Sequence, residues 1–256
     1  MIHPTAIVHP NAQIARGVEI GPYCLVGENV AIGTGTVLHA HVVVNGWTTL
    51  GEDCQIFPFA TIGSPSQDRK SVQGERAYTR IGDRTIIREY VSVQRGTGDE
   101  SATEIGADCL ILAYGHVAHN CIVGNGVTMS NLGQLAGHVE IGDNAGIGGM
   151  VGMHQFVRVG KYGFVGGFTK LSRDLPPFFL CEGNPAKPYG LNSAGLKRAG
   201  FSAEEISELK RCYKLIYGSK LTLAQAIAEM QSTVTTAPGR ELIEFLLADS
   251  ERGILK

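Results

Sequence analysis

Half of the eight histidines, His116, His119, His138 and His154, crowd one stretch of the chain. Imidazole titrates close to neutral pH, so such a cluster can pass protons, and neutral imidazoles also bind zinc. A lone outward histidine is usually a solvated surface residue. Four in one stretch make a site only if the fold brings them together.

The elements that would do so show in an aliphatic period. An aliphatic residue recurs every six positions from Ile2, Val8, Ile14 and Ile20 to Ile62, and again at Ile81, Ile87 and Val93. The run resumes at Ile105 and reaches Leu171, with Met129 and Met153 in two of its slots. Neither a helix, of period 3.6, nor a flat strand, of period 2, gives a strict six. A chain turning a corner every six residues does. Three such sides close a triangular coil of eighteen, so the expected fold is mainly β, a parallel β-helix of hexapeptide repeats. Glycine follows the aliphatic at Gly21, Gly33, Gly51, Gly82, Gly106, Gly124, Gly142 and elsewhere, read as backbone freedom for the corner. Cys24, Cys54, Cys109 and Cys121 stand four after an aliphatic and read as small corner fillers.

Residues eighteen apart should then lie one above another, about 4.8 Å apart. His119 falls beneath Gly137, which falls beneath Gln155. His138 and His154 adjoin those two, and His116 is one corner back. One patch of wall should thus hold three or four imidazoles, a bare glycine amide and a carboxamide. Zinc is the first rival. One branch of hexapeptide proteins, resembling γ-class carbonic anhydrases, holds metal with three histidines between subunits. Here His116 and His119 are three apart, not the five of that branch, and no CxxC pair occurs, so no metal is expected. General-base chemistry fits better.

Composition narrows the classes. The chain has 256 residues, 43% hydrophobic, with a net charge of −2, which suits one or two soluble globular domains and gives no reason to expect nucleic acid. No apolar run is long enough to span a membrane. The repeat begins at Ile2 without a leader, and the six cysteines are scattered, so a cytoplasmic location is expected.

The repeat spans 1–183 and breaks twice. A polar loop insertion occupies about 64–80 and carries Gln67, Asp68, Lys70 and Glu75. Solenoids often bind on the face that carries insertions. A second irregularity covers Gly96 to Thr103, where Asp99 takes an aliphatic slot. Residues 184–256 read as a small helical domain. Ser202 and Glu205 form a capping box for a helix to about Tyr217, Thr222 caps one over 223–233, and Pro238-Gly239 precedes one over 240–249 with Leu242, Phe245 and Leu246 as its apolar stripe. Lys210, Arg211 and Lys214, near Lys197 and Arg198, read as a solvated face or as a docking patch for an acidic partner.

Beyond the repeat, His116-Val117-Ala118-His119, Leu135-Ala136-Gly137-His138-Val139 and His154-Gln155-Phe156 are specific marks. So are Gln67-Asp68-Arg69-Lys70, Gly183-Asn184-Pro185, Gly195-Leu196-Lys197-Arg198 and Tyr213-Lys214-Leu215-Ile216-Tyr217. Together these resemble, over essentially the whole chain, the acyl-[acyl-carrier-protein]–UDP-N-acetylglucosamine O-acyltransferases that open lipid A synthesis. The resemblance implies left-handed coils and a cytoplasmic homotrimer with sites between subunits. No cofactor is implied beyond the phosphopantetheine of acyl carrier protein, which delivers a 3-hydroxyacyl chain. His119 matches the general base and the Gly137 amide the oxyanion donor. Gln67, Asp68, Lys70, His116, His138, His154, Gln155, Asn192 and Arg198 match substrate contacts. Gly167, with Gly149 stacked below it, matches the position that limits acyl length, and its bare backbone implies a longer chain. Four residues depart from the pattern: Asn120 where Asp is common, Gln94 for a frequent His, Ala194 for Glu, and Ala199 for a second Arg. Two other readings compete. One is N-acylation, of a 3-amino sugar or by the later enzyme of the pathway, although that enzyme resembles proteins with an added N-terminal domain. The other is a scaffold or carrier-binding module without chemistry.

Overall fold

The computed structural model describes residues 1–72 and 74–256. Residues 7–171 wind as left-handed coils with three faces of parallel strands. The first face stacks nine short strands from Ile7–Val8 to Lys170–Leu171. The second stacks eight, from Gln13–Ile14 to Arg158–Val159, and the third ten, from Glu19–Ile20 to Lys187–Leu191. Register follows the period: Ile111 lies against Met129, Val117 against Leu135, and Leu135 against Met153. In each two-residue strand the first side chain points out and the second in. Leu38, Ile56, Ile62, Ile87, Ile111, Val117 and Leu171 are wholly buried in one continuous core.

The corners have a different logic from the expected one. The glycine after each aliphatic is not, as a rule, in the left-handed region. Of the described residues, eighteen that are not glycine are, including Tyr23, Phe59, Tyr114, Asn120, His138 and Phe156, with φ between 53° and 69°. The glycine is required by stacking. A Cβ at Gly33 would sit 2.5 Å from the Gly51 carbonyl oxygen, and one at Gly142 2.5 Å from the Lys161 nitrogen. The small residue four after the aliphatic also has a job. Its side chain hydrogen-bonds a carbonyl of the next coil: Thr36 Oγ1 to Gly51 at 2.7 Å, Cys109 Sγ to Gly124 at 3.0 Å, Cys121 Sγ to Ala136 at 3.1 Å. Burial pushes the Cys121 thiol up to about 12, so it stays protonated.

The first insertion is shorter than expected, because Thr61–Ser64 and Tyr78–Ile81 remain in the ladders. The second lies between Ser92–Gln94 and Ala102–Ile105. Both leave the corner between the first and second faces and are pinned together. Arg76 N donates to Asp99 Oδ1 at 3.1 Å, and Gly98 N to Glu75 Oε2 at 3.2 Å.

Past the coils, Phe179–Glu182 pairs antiparallel with Lys187–Leu191. Four helices follow: α1 (Ser193–Arg198), α2 (Ala203–Tyr213), α3 (Leu223–Thr233) and α4 (Ala237–Leu247). α2 carries the expected capping box and passes at Lys214–Gly218 into a π-helical turn, and α3 has the expected bounds. α4 starts three residues earlier than expected. Pro238 lies inside its first turn, where a missing N–H costs nothing, and Thr236 caps it. Its buried residues include Leu242 and Ile243, while Phe245 packs under the Arg158 guanidinium at 4.5 Å.

One buried carboxylate holds the helices together. Glu208 of α2 accepts from the backbone N–H and hydroxyl of both Thr235 and Thr236, between α3 and α4. Burial pushes its carboxyl up, but these hydrogen bonds outweigh it and bring the pKa to about 2. Hydrogen bonds to a charged group contribute about 1.5–3 kcal/mol each when one is removed, so Glu208→Ala should lower the melting temperature clearly at neutral pH. The folded pKa is depressed, so this stability is complete above the ordinary value of 4.5 and fades as pH falls towards 2. Melting curves across that window should show a shallower acid decline in the variant than in the wild type.

Candidate active site

The main cleft lies on the first face, beside the corner from which both insertions emerge, and has a volume of about 710 Å³. His116, His119, Gly137, His154 and Gln155 line it, with Gln67 and Asp68 reaching in from the first insertion. The eighteen-residue register therefore assembles the expected patch. His119 is only 5% exposed. Its Nδ1 lies 2.8 Å from Asn120 Oδ1, and its Nε2 3.7 Å from Asp68 Oδ2. Gly137 sits directly over the ring. A Cβ there would collide with Nε2 and lie 2.5 Å from Cε1. Gly137 is buried, and its N–H has no acceptor among the described residues.

The other residues take distinct places. His116 Nδ1 pairs with Ser92 Oγ at 2.7 Å, and burial lowers its pKa. Asp68 is shaped by its own loop: its N–H donates to Ser66 Oγ, and its Oδ1 accepts from Lys70 N, both at 3.0 Å. Gln155 presents its carbonyl to Arg252 Nε at 2.7 Å. His138 departs from expectation. It occupies the turn of the corner and stacks on Phe156, ring centroids 4.6 Å apart, facing a smaller hollow of about 390 Å³ on the second face. It meets His119 edge-on at 5.2 Å. Burial first, then the charges of His119 and Lys70, lower its pKa against the pull of Asp68. Three of the four imidazoles line the cleft, within the expected three or four.

Some expected residues stand elsewhere. Asn192 and Arg198 line a hollow on the third face, with Ala199 beside them. The Asn192 side chain caps α1 through Gly195 N at 3.1 Å and donates to Tyr162 O at 2.9 Å. Gly149 and Gly167 lie on the edge between the third and first faces, where a Gly167 Cβ would meet only the Gly149 backbone. Lys210, Arg211 and Lys214 are exposed on α2 and the turn after it, Arg211 lying 3.6 Å from Glu208. Within one chain, none of these touches the cleft.

Three cleft residues escaped the reading of the sequence. The outward column of the first face runs His116, Gln134, Gly152, Lys170. Gly152 has open space where a Cβ would be and leaves a notch between an amide and an ammonium. The register that linked His119 to Gly137 finds this column when counted from His116.

Left-handed hexapeptide coils with a histidine-bearing cleft beside a corner loop define a hexapeptide-repeat transferase. A family model of bacterial transferase hexapeptides matches residues 11–46, and one described as UDP-N-acetylglucosamine O-acyltransferase, domain 2, matches residues 174–255. The acyl-[acyl-carrier-protein]–UDP-N-acetylglucosamine O-acyltransferase of Thermodesulfovibrio yellowstonii is 48% identical, covering 100% of this chain and 99% of its own. The LpxA structure from Acinetobacter baumannii superposes with a TM-score of 0.95 at 42% identity, covering 100% of this chain and 99% of the other. The Arabidopsis UDP-N-acetylglucosamine acyltransferase does so with 0.90 at 32%, covering 100% of each. The chain belongs to the acyl-[acyl-carrier-protein]–UDP-N-acetylglucosamine O-acyltransferase family.

The closeness of Gly137 to the imidazole is directly testable. In a crystal structure of Gly137→Ala, the His119 ring should be displaced from its place over Asp68 while the coils keep their register. An undisturbed ring would show that the wall relaxes instead.

Proposed function

We propose that the chain transfers a 3-hydroxyacyl group from the phosphopantetheine thioester of acyl carrier protein to the 3-hydroxyl of the glucosamine in UDP-N-acetylglucosamine, the first step of lipid A synthesis. The observation that carries this reading is Gly137 packed against the buried His119 ring, its N–H without an acceptor among the described residues. His119 Nε2 takes the proton of the sugar hydroxyl as its oxygen attacks the thioester carbonyl. The carbonyl oxygen becomes an oxyanion and accepts from the Gly137 N–H. Collapse expels the carrier thiolate, which takes the proton back from His119. Asp68, held by its Asx turn, orients the sugar and faces the imidazolium as it forms. Gln67, Lys70, His116, His154 and Gln155 hold the two substrates, and His138 packs edge-on against the base from outside the cleft. No cofactor takes part.

The proposed working form is a homotrimer. Aromatic and apolar residues run up the edge between the third and first faces: Tyr23, His41, Phe59, Tyr90 and Tyr114 stack with centroids 4.8–5.1 Å apart. Leu132, Met150 and Phe168 extend the exposed column, with Phe168 at 72% and Tyr23 at 62%. A surface this apolar and continuous calls for a partner. A threefold axis along it would set the first face of one copy against the third face of the next. Asn192 and Arg198 would then close the cleft of a neighbour, and Gly149 and Gly167 would border its groove, leaving room for a long acyl chain. The exposed Lys210, Arg211 and Lys214 would receive the acidic carrier. The coils of 1–183 thus carry the chemistry and the helical unit of 184–256 the docking.

The test is mass-spectrometric detection of acyl transfer to UDP-N-acetylglucosamine, with the 3-amino sugar alongside. An ester from the hydroxy sugar is expected; an amide from the amino sugar alone would change the acceptor. His119→Ala should lower kcat by about 10²–10⁴, the usual range for a general base. Unchanged carrier binding with no turnover even in the wild type would point to a scaffold. A series of carriers should peak at a long 3-hydroxyacyl chain. Tyr114→Asp should convert the trimer to smaller species in light scattering, with loss of activity.

A further inference from the structure

We infer that Asn120 is a positioning residue that fixes the tautomer of His119, and that the second insertion holds Asn120 for this purpose. The inference rests on His119 as the base, proposed above, and goes beyond it to how the base is set.

Asn120 Oδ1 accepts from the backbone N–H of Thr97 at 2.9 Å, and its Nδ2 faces the Thr97 carbonyl at 3.4 Å. This pairing fixes which way the amide points. A flipped amide would aim a donor at the Thr97 N–H and an acceptor at its carbonyl. The atom 2.8 Å from His119 Nδ1 is therefore the oxygen, an acceptor. Nδ1 must carry the proton. A neutral imidazole has only one, so Nε2 is left bare, facing the cleft beneath Gly137 and beside Asp68. The tautomer follows from a backbone N–H that cannot change its role.

Residue 120 is built into this position. Its own N–H donates to Thr103 Oγ1 at 2.8 Å, in the strand that follows the same insertion. Its φ of 59° is one that asparagine tolerates well. The charged and titratable groups around the pair are Asp68 and Lys70 on the first insertion, His138 on the next coil, Glu75 against Gly98 on the second insertion, and Glu104 beside Asn120 on the second face. The partner at Nδ1 is neutral. It orients the ring without adding negative charge to hold the proton that the ring picks up, so the base gives that proton on to the leaving thiolate readily.

The experiment joins an activity-free readout to kinetics. Nitrogen-15 NMR of imidazole-labelled protein should show His119 protonated at Nδ1 in the wild type. Asn120→Gly keeps the left-handed backbone and removes the amide. Its His119 should populate the other tautomer, with kcat down at least about tenfold and KM unchanged. Asn120→Asp keeps the acceptor and adds a charge. A carboxylate favours imidazolium, so the acid limb of its kcat profile should move up by about one pH unit. A wild-type His119 protonated at Nε2 would overturn the inference. So would an Asn120→Gly enzyme with wild-type kcat, or an Asn120→Asp profile that does not move. Should the wild type transfer no acyl group, the proposed reaction fails, and the NMR arm alone still decides the tautomer.

Discussion

Each coil must hydrogen-bond to the next with every inward aliphatic over its counterpart, eighteen residues away wherever no insertion intervenes. All else in the molecule answers to that vertical register. It leaves no room for a Cβ at corner glycines such as Gly33 and Gly142, where the next coil passes too close. It leaves room for extra residues only at corners. Extra chain within a side would throw the following aliphatic out of the core, at about 1.5–3 kcal/mol for each large side chain exposed. The insertions after Ser64 and after Gln94 leave the wall at one corner, and the ladders on either side close again in register.

The same register explains why so many non-glycine residues accept a left-handed backbone. Such a conformation costs on the order of 1 kcal/mol or more for a residue with a Cβ. Every corner that takes it allows another aliphatic to reach the interior, and burial outweighs the torsion. The left-handed corner residue also has a fixed direction, pointing its side chain away from the axis. On one edge this builds the aromatic column. On another it turns His138 and Asn120 towards the second face, while His119, one residue earlier, points into the cleft.

Much of this was legible in the residues. A period of six, counted without allowance, gave the coils and their core, and adding eighteen set Gly137 over His119. What escaped has definable causes. The reason for the corner glycines lies in the distance to the next coil, which spacing along the chain does not encode. His138 was placed in the cleft because the count locates a residue on a rung, not the direction of its side chain. Asn192 and Arg198 were known only by resemblance, and no count through a connector with its own hairpin could assign them to the third face. The contact of Thr97 with Asn120 joins a loop without period to the coil wall, so periodicity was silent about it.

A solenoid wall has a weakness as an active site: it is nearly flat, and a flat surface surrounds nothing. The two insertions correct this from one side. The first brings the Asp68 carboxylate to 3.7 Å from Nε2, and the second holds Nδ1 through Asn120, so both nitrogens face groups the regular coil could not supply. The other side of the cleft stays open in one chain, with Gly152 bare and Lys170 at its end. On the proposed threefold arrangement, the third face of a neighbour fills that side. The proposed base and oxyanion donor then belong to a single rigid wall, where an error of one ångström in their separation would be most costly. The parts proposed only to grip a nucleotide sugar and an acyl chain would come from loops and from the adjacent subunit, where some tolerance is affordable. Of the departures from the family pattern, Ala199 lies beside Arg198 on that proposed gripping side, and the His119–Gly137 contact is intact.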